Sequence, residues 1–134
     1  MKTAAAIVGL CLTITTTHGA TASWYGAECA GLPTASGQPF NPDGFTAASW
    51  FYPLGTKLTV TSGSKTVTVT VNDRGPAKRL VATGRTIDLS RAAFAKLADL
   101  RLGLVQVTIQ PVVGNKPLDT TAKRGKLPPQ HKRK

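Results

Sequence analysis

Acidic side chains are scarce in this chain: 17 Lys and Arg stand against 6 Asp and Glu, a formal charge of +11. The excess is unevenly placed. Nine basic and five acidic residues fall within 21–114, and seven basic and one acidic within 115–134. The charge mostly reports the C-terminal segment, so it does not argue for a nucleic-acid-binding fold, and no specific nucleic-acid partner is expected. Cysteine is nearly absent, with Cys11 and Cys29 alone, and the two histidines are His18 and His131. No Cys/His cluster has metal-ligand spacing, so neither a metal nor a cofactor is expected. Cys29 has no histidine within the folded segment to activate it and reads as a small, partly buried side chain. No apolar run approaches the roughly 20 residues that cross a bilayer, which excludes a membrane span.

The start of the chain reads as an export signal over residues 1–20. Lys2 supplies the positive end, Thr3 to Ile14 is largely apolar, and Thr15, Thr16, Thr17, His18, Gly19 and Ala20 close the run with small and polar residues. A buried first strand would have no use for Lys2 or for that threonine-rich exit. Two small-x-small cleavage sites compete, Thr17-His18-Gly19 and Ala20-Thr21-Ala22. Removal of this segment takes Cys11 with it and leaves one thiol, so no internal disulfide is expected. Leu10 before Cys11 is not the small residue that a lipidated cysteine requires, so no lipid anchor is expected, and the mature protein is placed in the periplasm or outside the cell. Residues 113–134 are rich in Lys, Arg, Gly, Pro and Gln, and read as a basic disordered tail in weak electrostatic contact with anionic wall or surface polymers.

Between these ends, residues 21–112 form one domain of short strands separated by glycine and proline turns, an all-β pattern. Leu58-Thr59-Val60 and Val67 to Val71 alternate apolar residues with threonine at period two around Ser62-Gly63-Ser64-Lys65, which predicts a hairpin. Arg85 to Leu89 and Leu104 to Ile109 alternate in the same way. One helix interrupts them, capped by Ser90 and ending before Gly103, with Phe94 and Leu97 on its packed face.

Asn72-Asp73-Arg74-Gly75-Pro76 follows the best-defined strand. Rigid neighbours hold Asp73 at the strand end, and Gly75-Pro76 turns the chain so that the carboxylate faces a groove. An Asx turn, with Asp73 capping the backbone and Arg74 as its surface partner, is the competing reading. Aromatic residues make up only 6% of the chain, yet Trp24-Tyr25 and Trp50-Phe51-Tyr52 cluster beside turns. Exposed rings of this kind suit the C–H faces of sugars, although some must be core in so small a barrel.

Six blocks then occur in an order similar to that of the RlpA-like (rare lipoprotein A) family: Ala22 to Gly26, Pro33 to Gly37, Phe45 to Ala48, Pro53 to Thr56, Asn72 to Pro76 and Ile87 to Ser90. The resemblance implies a six-stranded double-psi β-barrel with one short helix. It also implies endolytic, non-hydrolytic cleavage of peptidoglycan glycan strands, in which the muramic acid 6-hydroxyl attacks its own anomeric carbon. Asp73 matches the family's acid/base, and one carboxyl can serve because the sugar brings the nucleophile. The family's usual Glu and His are replaced by Gln38 and Ser49 here. Gln38, Ser49, Trp24, Tyr25 and Arg74 are the expected substrate-binding set. Glu28 is a spare carboxylate nearby, and Asp88 is expected to tie strand to helix. Loss of the Glu and His also fits an alternative, a weak or inert glycan-binding barrel of the expansin kind.

Overall fold

Threonine–valine alternation builds the hairpin that the sequence predicts. In the computed structural model, which describes residues 18–114, β3 (Lys57–Ser62) pairs antiparallel with β4 (Lys65–Asp73) from Lys57↔Thr70 to Ser62↔Lys65. The connecting turn places Gly63 at φ 58°, a left-handed conformation that a side chain would resist. Leu58, Val60, Val67, Val69 and Val71 point inward and are buried, while Thr59, Thr61, Thr66 and Thr68 face outward.

The remaining strands are β1 (His18–Tyr25), β2 (Thr46–Ser49), β5 (Arg85–Ser90) and β6 (Leu104–Pro111). They close into a barrel in the order β1-β5-β2-β4-β3-β6. The β1–β5 and β2–β4 pairs are parallel and the others antiparallel. This closed, mixed six-stranded arrangement is the double-psi barrel. Closure leaves no open sheet edge and gathers Leu58, Val60, Val71, Ile87, Leu89 and Phe94 into one core.

Among the described residues, two α-helical segments accompany the strands where the sequence suggests one. α1 (Lys78–Val81) is a single exposed turn that lacks the apolar period by which helices are read. α2 (Arg91–Ala95) is the foreseen helix. Ser90 Oγ accepts from Ala93 N at 3.3 Å and donates to the Gly44 carbonyl at 2.6 Å, so it caps α2 and fastens it to the loop before β2. α2 ends earlier than Gly103 because Asp99, extended at φ −64° and ψ 130°, starts a separate 3-10 turn over Leu100–Leu102. Phe94 and Leu97 are both buried, as their spacing requires.

The domain boundary differs from the sequence reading. His18, Gly19 and Ala20, there assigned to the export signal, begin β1 and pair with Ile109, Thr108 and Val107 of β6. Small residues that suit a cleavage site suit a crowded barrel strand equally well: Ala22 is fully buried and Ala20 packs against the core. The rest of the signal reading, residues 1–17, and the basic tail from residue 115 lie outside the described residues. Among the described residues, no helix is long and apolar enough to cross a membrane.

This geometry separates the two cleavage sites. A chain beginning at Ser23 lacks Ala20, Thr21 and Ala22, three β1 residues with their β6 pairs and a core alanine that a chain beginning at Ala20 keeps, and should be destabilised by about 2–3 kcal/mol, lowering Tm by roughly 10–20 °C relative to that longer chain. Thermal unfolding of the two truncations checks this; equal melting would show that the start of β1 is dispensable.

Candidate functional site

The site is created by a defect in the β2–β4 ladder. Thr46 pairs with Thr70 and Ala47 with Val71, but Ala48 pairs with Asp73, so Asn72 is an extra residue. Simple alternation would send Asp73 to the same side as Val67, Val69 and Val71, into the core. The bulge re-aims it to the opposite face. There it joins Ala48 and, on the other neighbour of β2, Asp88, since Ala48 pairs with Asp88 across β2–β5. The two carboxylates therefore flank one alanine on adjacent strands.

Each carboxylate is anchored through its Oδ1. Asp73 Oδ1 accepts from the backbone N–H of Ala35 at 3.0 Å and of Arg74 at 2.8 Å. Asp88 Oδ1 accepts from Ser23 Oγ and from Arg85 at 3.4 Å, while Arg85 Nε also donates to Ser23 Oγ at 2.7 Å. Asp88 thus ties β5 to β1. The expected tie of strand to helix is made instead by Ser90. Gly75, in a cis Gly75–Pro76 turn, lies beside both: a Cβ there would be in ordinary van der Waals contact with Asp88 Oδ2 at 3.5 Å and Ala48 Cβ at 3.4 Å.

Arg74 is not a surface partner of Asp73. Its Nη1 donates to the carbonyls of Ser49 at 2.7 Å and Tyr52 at 2.6 Å, which fastens the loop after β2 to the strand end that carries Asp73. These bonds hold the wall of the site. Ser49 is 1% exposed, and its Oγ accepts from Phe51 N at 3.1 Å. Gln38 is exposed on the loop that Thr34 closes, with Thr34 N and Oγ1 both donating to the Gln38 carbonyl, at 3.0 and 2.7 Å. Glu28 folds onto its own 3-10 turn and accepts from Gly26 N at 3.2 Å.

Consecutive strand residues point to opposite sides, so Trp24 and Tyr25 cannot line one groove. Trp24 packs beside Phe94 at 6.4 Å, and its Nε1 donates to the Leu100 carbonyl at 3.0 Å, which commits the ring to the core side. Tyr25 is on the Asp73 side, 9% exposed and stacked on Phe40 at 4.2 Å. Burial foremost, then the charges of Asp73 and Asp88 and a smaller contribution from Cys29, push its phenol far above the ordinary tyrosine range. A pocket of about 130 Å³ is lined by Tyr25, Cys29, Thr34, Phe40 and Asp73, with Leu32 and Pro33 at its rim. A larger depression of about 370 Å³ at Phe45, Thr66 and Lys96 is shallow and has no acid in its wall, which makes the smaller one the candidate site.

Phe51 was not singled out from its cluster. It is 60% exposed on the loop held by Arg74, whereas Trp50 is half-buried, donates from Nε1 to the Pro76 carbonyl at 2.7 Å and lies under Lys78 Nζ at 5.0 Å. Sequence carried no signal to rank these rings. Among the described residues, no group of three His, Cys, Asp or Glu could hold a metal ion.

Residues 17–109 match the lytic transglycolase family. The chain is 40% identical over 111 residues to the endolytic peptidoglycan transglycosylase RlpA of Pseudomonas aeruginosa strain PAO1, covering 81% of this chain and 30% of that protein. It is 43% identical over 93 residues to a probable endolytic peptidoglycan transglycosylase RlpA of Nostoc, covering 66% of this chain and 24% of that one. The chain therefore spans about a quarter to a third of these relatives' length. Among solved structures, the Streptomyces papain inhibitor superposes with a TM-score of 0.57 at 27% identity, covering 72% of this chain and 94% of that one. The apo Clavibacter michiganensis expansin superposes at 0.59 with 24% identity, over 75% and 52% of the two chains, a likeness of fold alone. The double-psi barrel, the ordered motifs and the match across nearly the whole barrel together establish that this chain belongs to the RlpA-like lytic transglycolase family.

Proposed function

We propose that this barrel is an exported endolytic transglycosylase that cuts peptidoglycan glycan strands, with Asp73 as its acid/base. The observation that carries the reading is the bulge that lifts Asp73 out of the core and into the wall of the pocket it shares with Tyr25, with Oδ1 held by two backbone N–H groups. Asp73 gives its proton to the leaving glycosidic oxygen as the bond to the anomeric carbon breaks. The same carboxylate then takes the proton of the muramic acid 6-hydroxyl as that oxygen bonds to the anomeric carbon, producing a 1,6-anhydro end without water. Phe51, exposed on the loop that Arg74 fastens to the strand end carrying Asp73, is a ring suited to a sugar face. Gln38 occupies the exposed loop opposite as a neutral hydrogen-bonding group.

The test is digestion of purified sacculi with products identified by mass: anhydro-muropeptides support the reading. Asp73→Asn preserves shape and should lower turnover by about 10²–10⁴-fold with sacculus binding intact. An unchanged rate in that variant would remove Asp73 from the mechanism. Sacculus binding without any product would favour the glycan-binding barrel, a reading supported by the neutral Gln38 and the enclosed Ser49.

Gln38→Glu restores a carboxylate at an exposed position without repacking and should raise turnover by roughly tenfold, measured in the same digest. Ser49→His is a poorer test, because a buried serine leaves an imidazole no room without moving the Phe51 turn. Phe51→Ala should raise KM by about 3–10-fold with little change in kcat, the effect of losing one ring contact.

A further inference from the structure

The proposed reaction uses one wall of the small pocket, Asp73, and leaves the rest of it unassigned. Tyr25, Cys29, Phe40 and Ala48 form a second buried cluster, apart from the main core, and the first three wall a cavity of about 130 Å³ together with Thr34 and Asp73. Protein interiors leave few voids wider than a water molecule, so open space among buried side chains beside an acid is a place for a ligand group. Its walls stand without one. Gly31 N donates to the Phe40 carbonyl at 2.9 Å and Phe40 N to the Leu32 carbonyl at 2.8 Å, which pins the two arms of the loop, and the Tyr25 and Phe40 rings stack with centroids 4.2 Å apart. Leu32, 56% exposed, and Pro33 stand at the mouth. The volume is well below the roughly 300–1,000 Å³ of sites that enclose a whole drug-sized ligand, so the pocket takes a substituent and not a sugar ring.

The chemistry of the wall selects the substituent. In a peptidoglycan strand the carbon next to the anomeric carbon bears an acetamido group, which therefore falls beside any carboxyl that reaches the glycosidic oxygen. Its flat, neutral methyl end suits two rings, a thiol, a leucine and a proline. The lactyl ether of muramic acid ends in a carboxylate, which Asp73 in the wall repels. A bare ammonium, left where the acetyl is missing, would pair with Asp73 and favour its ionised form, whereas a general acid must hold its proton. On the reading of Asp73 as the acid/base, on which this rests, we propose that the pocket seats the C2 acetamido group of the sugar being cut and makes the barrel selective for N-acetylated glycan. Cys29 and Leu32 are the residues that set its depth and its mouth.

Binding is measured on the whole mature protein with β-1,4 tetrasaccharides that differ only at C2: chitotetraose with acetamido groups, its N-propanoyl analogue, and cellotetraose with hydroxyls. Chitotetraose should bind at least about tenfold tighter than cellotetraose, the usual effect of one small apolar group in a fitted pocket, and its methyl protons should show NOEs to the Phe40 and Tyr25 rings. Wild type should prefer acetyl to propanoyl, and Cys29→Ala, which removes a sulfur from the wall, should level or reverse that preference. Leu32→Ala, outside both buried clusters, should weaken chitotetraose by about 3–5-fold and leave cellotetraose unchanged. De-N-acetylated sacculi should be cut at least about tenfold more slowly, with the rate restored by chemical re-acetylation. Equal affinity for chitotetraose and cellotetraose, or acetyl methyls without those NOEs, would overturn the proposal. So would a wild type that releases anhydro ends equally fast from acetylated and de-N-acetylated glycan. A protein that cuts nothing, yet selects chitotetraose through these contacts, would sink the transglycosylase reading and leave the acetamido pocket standing.

Discussion

Everything at the site depends on one extra residue in a parallel ladder. Val67, Val69 and Val71 must point inward to build the core, and period two then condemns the second residue after Val71 to point inward too. Asn72 breaks that parity. Its carbonyl accepts from Ser36 N at 3.0 Å, so the bulged residue also docks the loop that carries Ala35 and Gln38. The backbone N–H of Ala35 in turn holds Asp73 Oδ1. One irregularity thus aims the carboxylate, recruits the loop that steadies it, and leaves a valine face intact beneath it. A bulge in a parallel pair is rare, and its place beside the candidate acid fits the general association of bulges with sites that need a re-aimed side chain.

The barrel supplies the rigidity that such a site needs. Asp73 and Asp88 lie on either side of β2, and each is fastened by a different long-range tie: Ala35 across the loop for one, Ser23 and Arg85 across β1–β5 for the other. Arg74 spans from β4 to the carbonyls of the loop after β2, and hydrogen bonds from a charged donor are stronger than neutral ones. Gly75 brings the turn into van der Waals reach of Asp88 and Ala48. The side chains that set the geometry come from four strands, and closure of the sheet fixes those strands relative to one another.

The hairpin, the Arg85 strand, the last strand and the Ser90 cap were legible because each depends on local chemistry: alternation, a two-residue turn, a serine placed before a helical run. Asp73 was legible as a candidate through Gly75-Pro76 and the family block, but the reason it faces the pocket was not, because a bulge at Asn72 is defined by its partner strand. Period two could have shown that Trp24 and Tyr25 face opposite ways. It could not have shown which one lies toward Asp73. Arg74, Ser49 and Phe51 were opaque for a related reason: whether a polar side chain meets ligand or backbone is settled by a loop between β2 and β3 whose path no periodicity predicts. The family resemblance marked positions, and the structure shows what several of them touch.

The scarcity of acids noted at the outset sharpens the choice of acid/base. Four aspartates lie among the described residues, and three of them are in ion pairs: Asp43 with Arg91, Asp88 with Arg85, Asp99 with Arg101. The pair at Asp99 is exposed and is worth little to stability, but its carboxylate is occupied, and the same is true of Asp43. Asp73 is the aspartate held by backbone N–H groups alone, with the nearest arginine turned onto carbonyls. A carboxylate committed to a guanidinium must break that pair before a sugar oxygen can approach, whereas Asp73 needs to break nothing to offer Oδ2. In a chemistry where the sugar carries its own nucleophile, one such carboxyl is enough, and the barrel's economy in acidic residues is consistent with the reaction proposed for it.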